Sequence, residues 1–98
     1  MSIARDQLID QRQIWPTEQI RIELSPFRGQ TYIGVRKWYA SGADYLPGKG
    51  LNVHVRHLPW LLKALRAAET AALEAGALDE ECYELVGLPL PRELGGAA

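Results

Sequence analysis

The block from Gln19 to Val55, QIRIELSPFRGQTYIGVRKWYASGADYLPGKGLNVHV, constrains this chain more than any other feature. Apolar and polar residues alternate through it in short runs separated by Pro- and Gly-containing breaks. Successive side chains of a strand point to opposite sides. The alternation therefore predicts one dry face, carrying Ile20, Ile22, Leu24, Ile33, Val35, Leu51, Val53 and Val55. The other face carries Arg21, Glu23, Tyr32, Arg36, Trp38, Asn52, His54 and Arg56. The dry face can hold a fold together. Arginines among flat aromatic rings on the wet face suit an unpaired nucleic-acid strand, whose bases stack on rings while cations track the phosphates.

The charge distribution agrees with that reading better than the total does. The formal net charge is −1, yet residues 21–56 hold Arg21, Arg28, Arg36, Lys37, Lys49 and Arg56 against only Glu23 and Asp44. A ligand responds to the local field rather than to the sum. Ninety-eight residues make one small domain with a limited core. Cys82 is the only cysteine, so no intrachain disulfide forms, and oligomerisation is the expected source of extra stability. No run approaches the ~18 apolar residues of a membrane span. The first residues, MSIARDQLIDQRQ, are expected to be neither signal nor anchor. The expected location is cytoplasmic, beside the nucleoid.

Element by element, residues 1–14 are expected to form a short helix or to fray. Strands are expected at about 19–24, 30–39, 44–46 and 50–55. Ser25-Pro26-Phe27-Arg28-Gly29 and Pro47-Gly48-Lys49-Gly50 supply turns between them. The period then changes: Leu58, Leu61, Leu62, Leu65, Ala68 and Ala72 recur at three and four, the pattern of an amphipathic helix. Pro59 suits its first position and Gly76 its end, placing the helix at about 59–75. The division expected is an N-terminal extension (1–18), a binding domain (19–76) and a partly disordered tail (77–98). Asp79-Glu80-Glu81 could cap a second short helix in that tail, with Tyr83 packing there.

This order of segments resembles the positive cofactor four family of transcriptional coactivators, in its bacterial form, over about Ile20 to Ala75. The resemblance rests on Pro26-Phe27-Arg28-Gly29-Gln30, Tyr32-Ile33-Gly34-Val35-Arg36-Lys37-Trp38-Tyr39, Pro47-Gly48-Lys49-Gly50-Leu51, and a helix opened by Pro59. It implies an α+β fold: a curved four-stranded antiparallel meander followed by one long C-terminal helix, dimerising through that helix. Leu58, Leu61, Leu62 and Leu65 would form the dimer interface. It also implies binding of single-stranded DNA along the sheet with little sequence preference. Carried over by position, the stacking aromatics fall on Phe27 and on Trp38 or Tyr39, and the phosphate-binding cations on Arg28, Arg36 and Lys49. Period alone selects Trp38 for the wet face, whereas the resemblance selects the position of Tyr39. Tyr32 and Arg56 complete the candidate surface. Gln30 and Leu46 stand where a family member commonly carries a cation, which predicts weaker and less salt-dependent binding.

The chain is thus expected to be a homodimeric single-stranded DNA-binding protein of transcription, replication or repair, with RNA a further possible ligand. The alternative is a protein-interaction module with little DNA binding, its tail docking on a transcription or replication protein. No nucleophile–base pair or nucleotide-binding loop is present to suggest an enzyme. No cofactor is expected. His54 and His57 are not expected to hold a metal, because a spacing of three puts them on opposite faces of a strand and no carboxylate or cysteine joins them.

Overall fold

The computed structural model describes residues 3–91. It contains an antiparallel sheet of four strands in the order β1-β2-β3-β4: β1 Gln7–Trp15, β2 Glu18–Phe27, β3 Gln30–Ser41 and β4 Asp44–His54. A 3-10 turn, Val55–His57, leads into helix α1, Leu58–Glu74, and a short helix α2 follows at Glu80–Glu84. The chain divides into two compact units, 1–59 and 60–98. The α+β architecture, a four-stranded antiparallel sheet followed by a long helix, is the one the sequence predicts.

The identity of the strands differs from expectation. Residues 7–15, expected as a helix or frayed extension, form the edge strand β1 and pair with β2 along its length. The boundary expected at 18/19 therefore falls inside a hairpin. The register slips at Ile9 and at Ile14, which bulge out of the ladder. These slips erase the period of two that would have announced a strand. The segments expected at 44–46 and 50–55 are one strand, β4. Pro47-Gly48-Lys49-Gly50 is not a turn but a bulge: Trp38 faces Pro47 and Arg36 faces Gly50, leaving two residues opposite Lys37. Pro47 is tolerated because β4 is an edge strand. Gly50 is required, since a Cβ there would lie 2.7 Å from the Val35 carbonyl oxygen and 2.8 Å from the Arg36 Cα. Val55 and Arg56 belong to the 3-10 turn rather than to a strand.

Two-residue connections join all the strands, so consecutive strands must be antiparallel neighbours. Arg28 and Gly29 link β2 to β3 with φ of 51° and 76°, the paired positive values of a type I′ turn. In the paired strands, Ile22 faces Val35 and Val35 faces Leu51, while Leu24 faces Ile33 and Ile33 faces Val53. These rows are the expected dry face. Ile33 is 6% exposed, but Ile22 is 39% and Leu51 54% exposed. Full burial of such a side chain stabilises by about 1.5–3 kcal/mol, so much of this face's potential is unused within one chain.

In the second unit, α1 ends in a Schellman motif. The Ala77 N–H donates to the Ala72 carbonyl (2.9 Å) and the Gly76 N–H to that of Leu73 (3.1 Å), with Gly76 at φ 74°. Asp79 caps α2 by accepting from the Cys82 N–H. The Tyr83 side chain, 7% exposed, is the buried anchor of this unit, and its hydroxyl donates to Glu69 Oε2 of α1 at 2.6 Å. Through Tyr83, α2 is thus clasped to α1. The disorder expected near the C-terminus falls on residues outside the described set.

Candidate nucleic-acid interface

The opposite face of the sheet is concave. Gln13 of β1 and Tyr45 of β4, on the two edge strands, reach each other across it: Gln13 Nε2 donates to the Tyr45 hydroxyl oxygen at 3.1 Å. Two strands lie between them, so only a curled sheet brings them together. The same Gln13 accepts from Gln19 Nε2 (3.0 Å), and Gln19 accepts from Arg21 Nε (3.0 Å). This network fixes Arg21 with its guanidinium 4.1 Å from the centroid of the Trp38 ring and 5.8 Å from that of Tyr45. A guanidinium over an aromatic face is held by the ring quadrupole and screened from competing carboxylates. The indole Nε1 of Trp38 is enclosed with no acceptor among the described residues.

Beyond Trp38 the face opens into a groove of about 560 Å³. Phe27, Tyr32 and Trp38 supply aromatic walls, and Arg36 supplies a cation. Gly34 lies on its floor, with Glu23 and Asn52 on either side; Asp6, Ser25 and Pro26 complete the lining. Phe27 and Tyr32 meet edge to face with centroids 6.4 Å apart, and Tyr32 meets His54 in the same way at 5.3 Å. Arg28, at the turn tip, lies 5.2 Å from the Phe27 centroid. His54 Nδ1 accepts from the Arg56 N–H at 3.0 Å, so its Nε2 is the donor to Gln30 Oε1 at 2.7 Å. That pair holds the imidazole as a prop for Tyr32.

Arg36, which the resemblance places among the phosphate-binding cations, has no carboxylate across the strands. The register places it opposite Arg21, while Glu23 stands opposite Gly34. Arg36 Nη1 donates instead to the Gly48 carbonyl in the bulge, at 2.9 Å. Two guanidinium groups on adjacent strands, with no ion pair on either among the described residues, favour an anionic ligand.

The structure thus gathers Phe27, Tyr32, Arg36 and Trp38 in one groove, with Arg28 at its rim. Trp38, as the period of two requires, is on this face. Tyr39 lies on the other, opposite Glu18 and Leu46, with its ring over Gly48, where a Cβ would collide with it. Lys49 is exposed in the bulge and Arg56 is exposed in the 3-10 turn. Neither lines the groove. Sequence reasoning passed over Arg21 as a ring-stacked cation, although its place on the wet face and the pairing of β2 with β3 could have supplied it. It also passed over Gly34 as the groove's floor. Among the described residues there is no group of His, Cys, Asp and Glu able to hold a metal, and no helix long and apolar enough to cross a membrane.

A concave antiparallel meander followed by a helix, with rings and guanidinium groups gathered on the concave face, defines a class of sheet-surface binding proteins. The model of the Transcriptional Coactivator p15 (PC4) family matches residues 15–64, and the chain belongs to that family. No curated protein matches it. Among solved structures it is similar to the PC4 homolog of Burkholderia pseudomallei K96243, at 24% identity and a TM-score of 0.62 over 70% of this chain and 96% of that one. It is also similar to the bacteriophage T5 homolog of the eukaryotic coactivator PC4, a protein implicated in recombination-dependent DNA replication. That match has 27% identity and a TM-score of 0.54, over 84% of this chain and 97% of the phage chain.

Proposed function

We propose that this protein is a homodimer that binds single-stranded DNA along the concave face of its sheet, serving transcription, replication or repair. One observation carries the reading: the groove combines three rings, Phe27, Tyr32 and Trp38, with Arg36, while Arg21 and Arg28 lie against two of those rings. Rings accept the faces of unpaired bases, and guanidinium groups accept phosphates. A duplex keeps its base faces stacked inward and offers none to the rings. Membership in a transcriptional coactivator family and likeness to a phage protein implicated in DNA replication support the same reading. The proposed contacts are Phe27, Arg28, Tyr32, Arg36 and Trp38, with Lys49 and Arg56 tracking phosphates further along the strand. Tyr39, on the opposite face, takes no part. The expected binding domain is the sheet with α1, extended by β1.

Fluorescence anisotropy with labelled single-stranded and duplex DNA of equal length, across a salt series, tests this. Single-strand preference that weakens as salt rises is expected. Equal binding of both forms, or none at low salt, would overturn the reading and leave protein interaction as the function of the fold.

A further inference from the structure

We propose that two copies of this chain interlock through the clasp: the exposed leucines of α1 in one copy pack on the α2 segment of the other. This rests on the homodimer reading above and names the surfaces that meet. The apolar stripe of α1 is covered unevenly by its own chain. Glu69, Ala72 and Leu73, in its later half, are half-buried, and there Tyr83 holds α2. Leu65 and Leu62, one and two turns before Glu69 on the same stripe, are each more than half exposed. The clasp has an apolar side of its own. After α2 the backbone doubles back, the Leu88 N–H donating to the Tyr83 carbonyl at 3.0 Å. Leu85 is left 70% exposed, and Val86 and Leu88 are exposed beside it. Val86 and Leu88, with Leu78, Cys82 and Tyr83, surround a recess of about 210 Å³ next to Glu69.

Each copy is therefore shaped as a step: a bare half-helix, then a half-helix carrying a second layer. A parallel pair of such steps sets clasp against clasp and holds the bare halves apart. An antiparallel pair closes, each bare half lying on the other copy's clasp, with a twofold axis relating the two contacts. The charges select the same arrangement. Lys63 and Arg66, the only cations between residues 60 and 88, flank the bare leucines, and Asp79, Glu80, Glu81 and Glu84 belong to the clasp. Neither cation has an ion pair among the described residues. One surface of the chain is thus the complement of another, apolar against apolar and cation against carboxylate, which makes a second copy the fitting occupant. The family match ends at residue 64, before the clasp, so the resemblance, which implies helix against helix, does not extend to this contact.

The test uses the full chain, whose single cysteine, Cys82, lies exposed in the clasp. Leu85→Asp alters the most exposed side chain of that surface, so the fold itself should be kept, as circular dichroism will show. Sedimentation equilibrium should find its dimer dissociation constant raised about tenfold or more, the loss of one buried leucine at each contact. Leu62→Cys should give disulfide-linked dimers under mild oxidation, with peptide mapping joining position 62 of one copy to Cys82 of the other. Adding Cys82→Ser to Leu62→Cys should abolish that link. An unchanged dissociation constant for Leu85→Asp overturns the proposal while leaving the homodimer reading intact. So does a Leu62→Cys link that survives Cys82→Ser, since position 62 then meets its own counterpart across a direct helix pair, and so does the absence of any link to Cys82. If the parent chain sediments as a monomer, the homodimer reading itself fails and the interlock with it.

Discussion

Arg28 shows best how one residue's chemistry sets apart stability and binding. It is the only non-glycine residue among those described with positive φ, at 51°, in a turn position where Asn or Gly is the ordinary occupant. A side chain in that conformation costs about 1–2 kcal/mol, and nothing in the fold requires arginine there: its guanidinium lies 5.2 Å from the Phe27 centroid at the groove's rim. Strain kept where a better residue exists motivates the proposed role of Arg28 at the groove. Arg28→Gly should therefore raise the melting temperature by a few degrees while weakening binding to a single-stranded oligonucleotide. A variant that gained stability with no loss of affinity would remove Arg28 from the interface. Two deletions test the groove itself. Phe27→Ala should weaken binding by the ~1–3 kcal/mol of a base–aromatic stack. Arg36→Ala should reduce the salt dependence by about 0.7 in log–log slope, the share of one phosphate contact on a single strand. It also frees the Gly48 carbonyl, so a fall in thermal stability of about 1 kcal/mol is expected beside it.

At the scale of elements, the hairpin β2–β3 and the helix were legible because their periods were uninterrupted. Ile20, Ile22, Leu24 and Ile33, Val35 alternate cleanly, and the leucines from Leu58 to Leu65 recur at helical spacing. Strand β1 was not legible. Its apolar residues come in adjacent pairs, Leu8-Ile9 and Ile14-Trp15, because Ile9 and Ile14 are bulged, and Gln, Asp and Arg between them have little strand propensity. The bulge in β4 was read as a turn for a related reason: Pro-Gly-Lys-Gly satisfies the chemistry of both, and only the pairing of Trp38 with Pro47 and Arg36 with Gly50 decides between them. The same register puts Trp38 on the concave face and Tyr39 on the other, the two positions that period and family resemblance had divided. Gly50→Ala tests the bulge, since its methyl group would meet backbone on β3 that cannot move aside. A loss of about 1–3 kcal/mol in denaturant unfolding is expected, and a neutral result would mean that β4 is not seated as described. The clasp of α2 on α1 has its own signature. Burial, then the hydrogen bond to Glu69 and its charge, push the Tyr83 phenol from 10.0 up to about 12. A group whose folded pKa is raised contributes fully below its unfolded value and loses that contribution as pH climbs through the folded one. The clasp should therefore hold to about pH 10 and loosen between 10 and 12. Ultraviolet titration should show one of the four tyrosines ionising late. Tyr83→Phe should erase that late step; if it persists, the late step belongs to another tyrosine.

For the whole molecule, the question is how so little core can hold a chain of this length together. Among the described residues only Ile33 and Tyr83 are buried apolar side chains, whereas Leu46, Leu51, Trp60, Leu62 and Leu65 are each more than half exposed. A domain of this size ordinarily buries well over half the surface of its unfolded chain, and a soluble monomer seldom leaves so many large apolar groups uncovered. Of the groove's residues, Tyr32, Arg36 and Trp38 are half-buried, and Phe27, at 59% exposed, is the one ring left open. Most of the unsatisfied surface is Leu62 and Leu65 on one stripe of α1, Trp60 on another side of that helix, and the dry side of the sheet. Those are surfaces a second copy could cover, with Leu58 and Leu61 beside the stripe. Homodimerisation would then be a condition of stability rather than a refinement of binding, and it would set two concave faces in one particle, raising the effective concentration of the second contact on a continuous strand. Sedimentation equilibrium should give twice the chain mass of 10.9 kDa. The melting temperature should rise with protein concentration, as mass action requires when folding and association are linked. Leu62→Asp with Leu65→Asp should lower that temperature steeply and reduce the population of dimer. A wild-type chain that sediments as a stable monomer, with a melting temperature independent of concentration, would show instead that this thin core suffices alone.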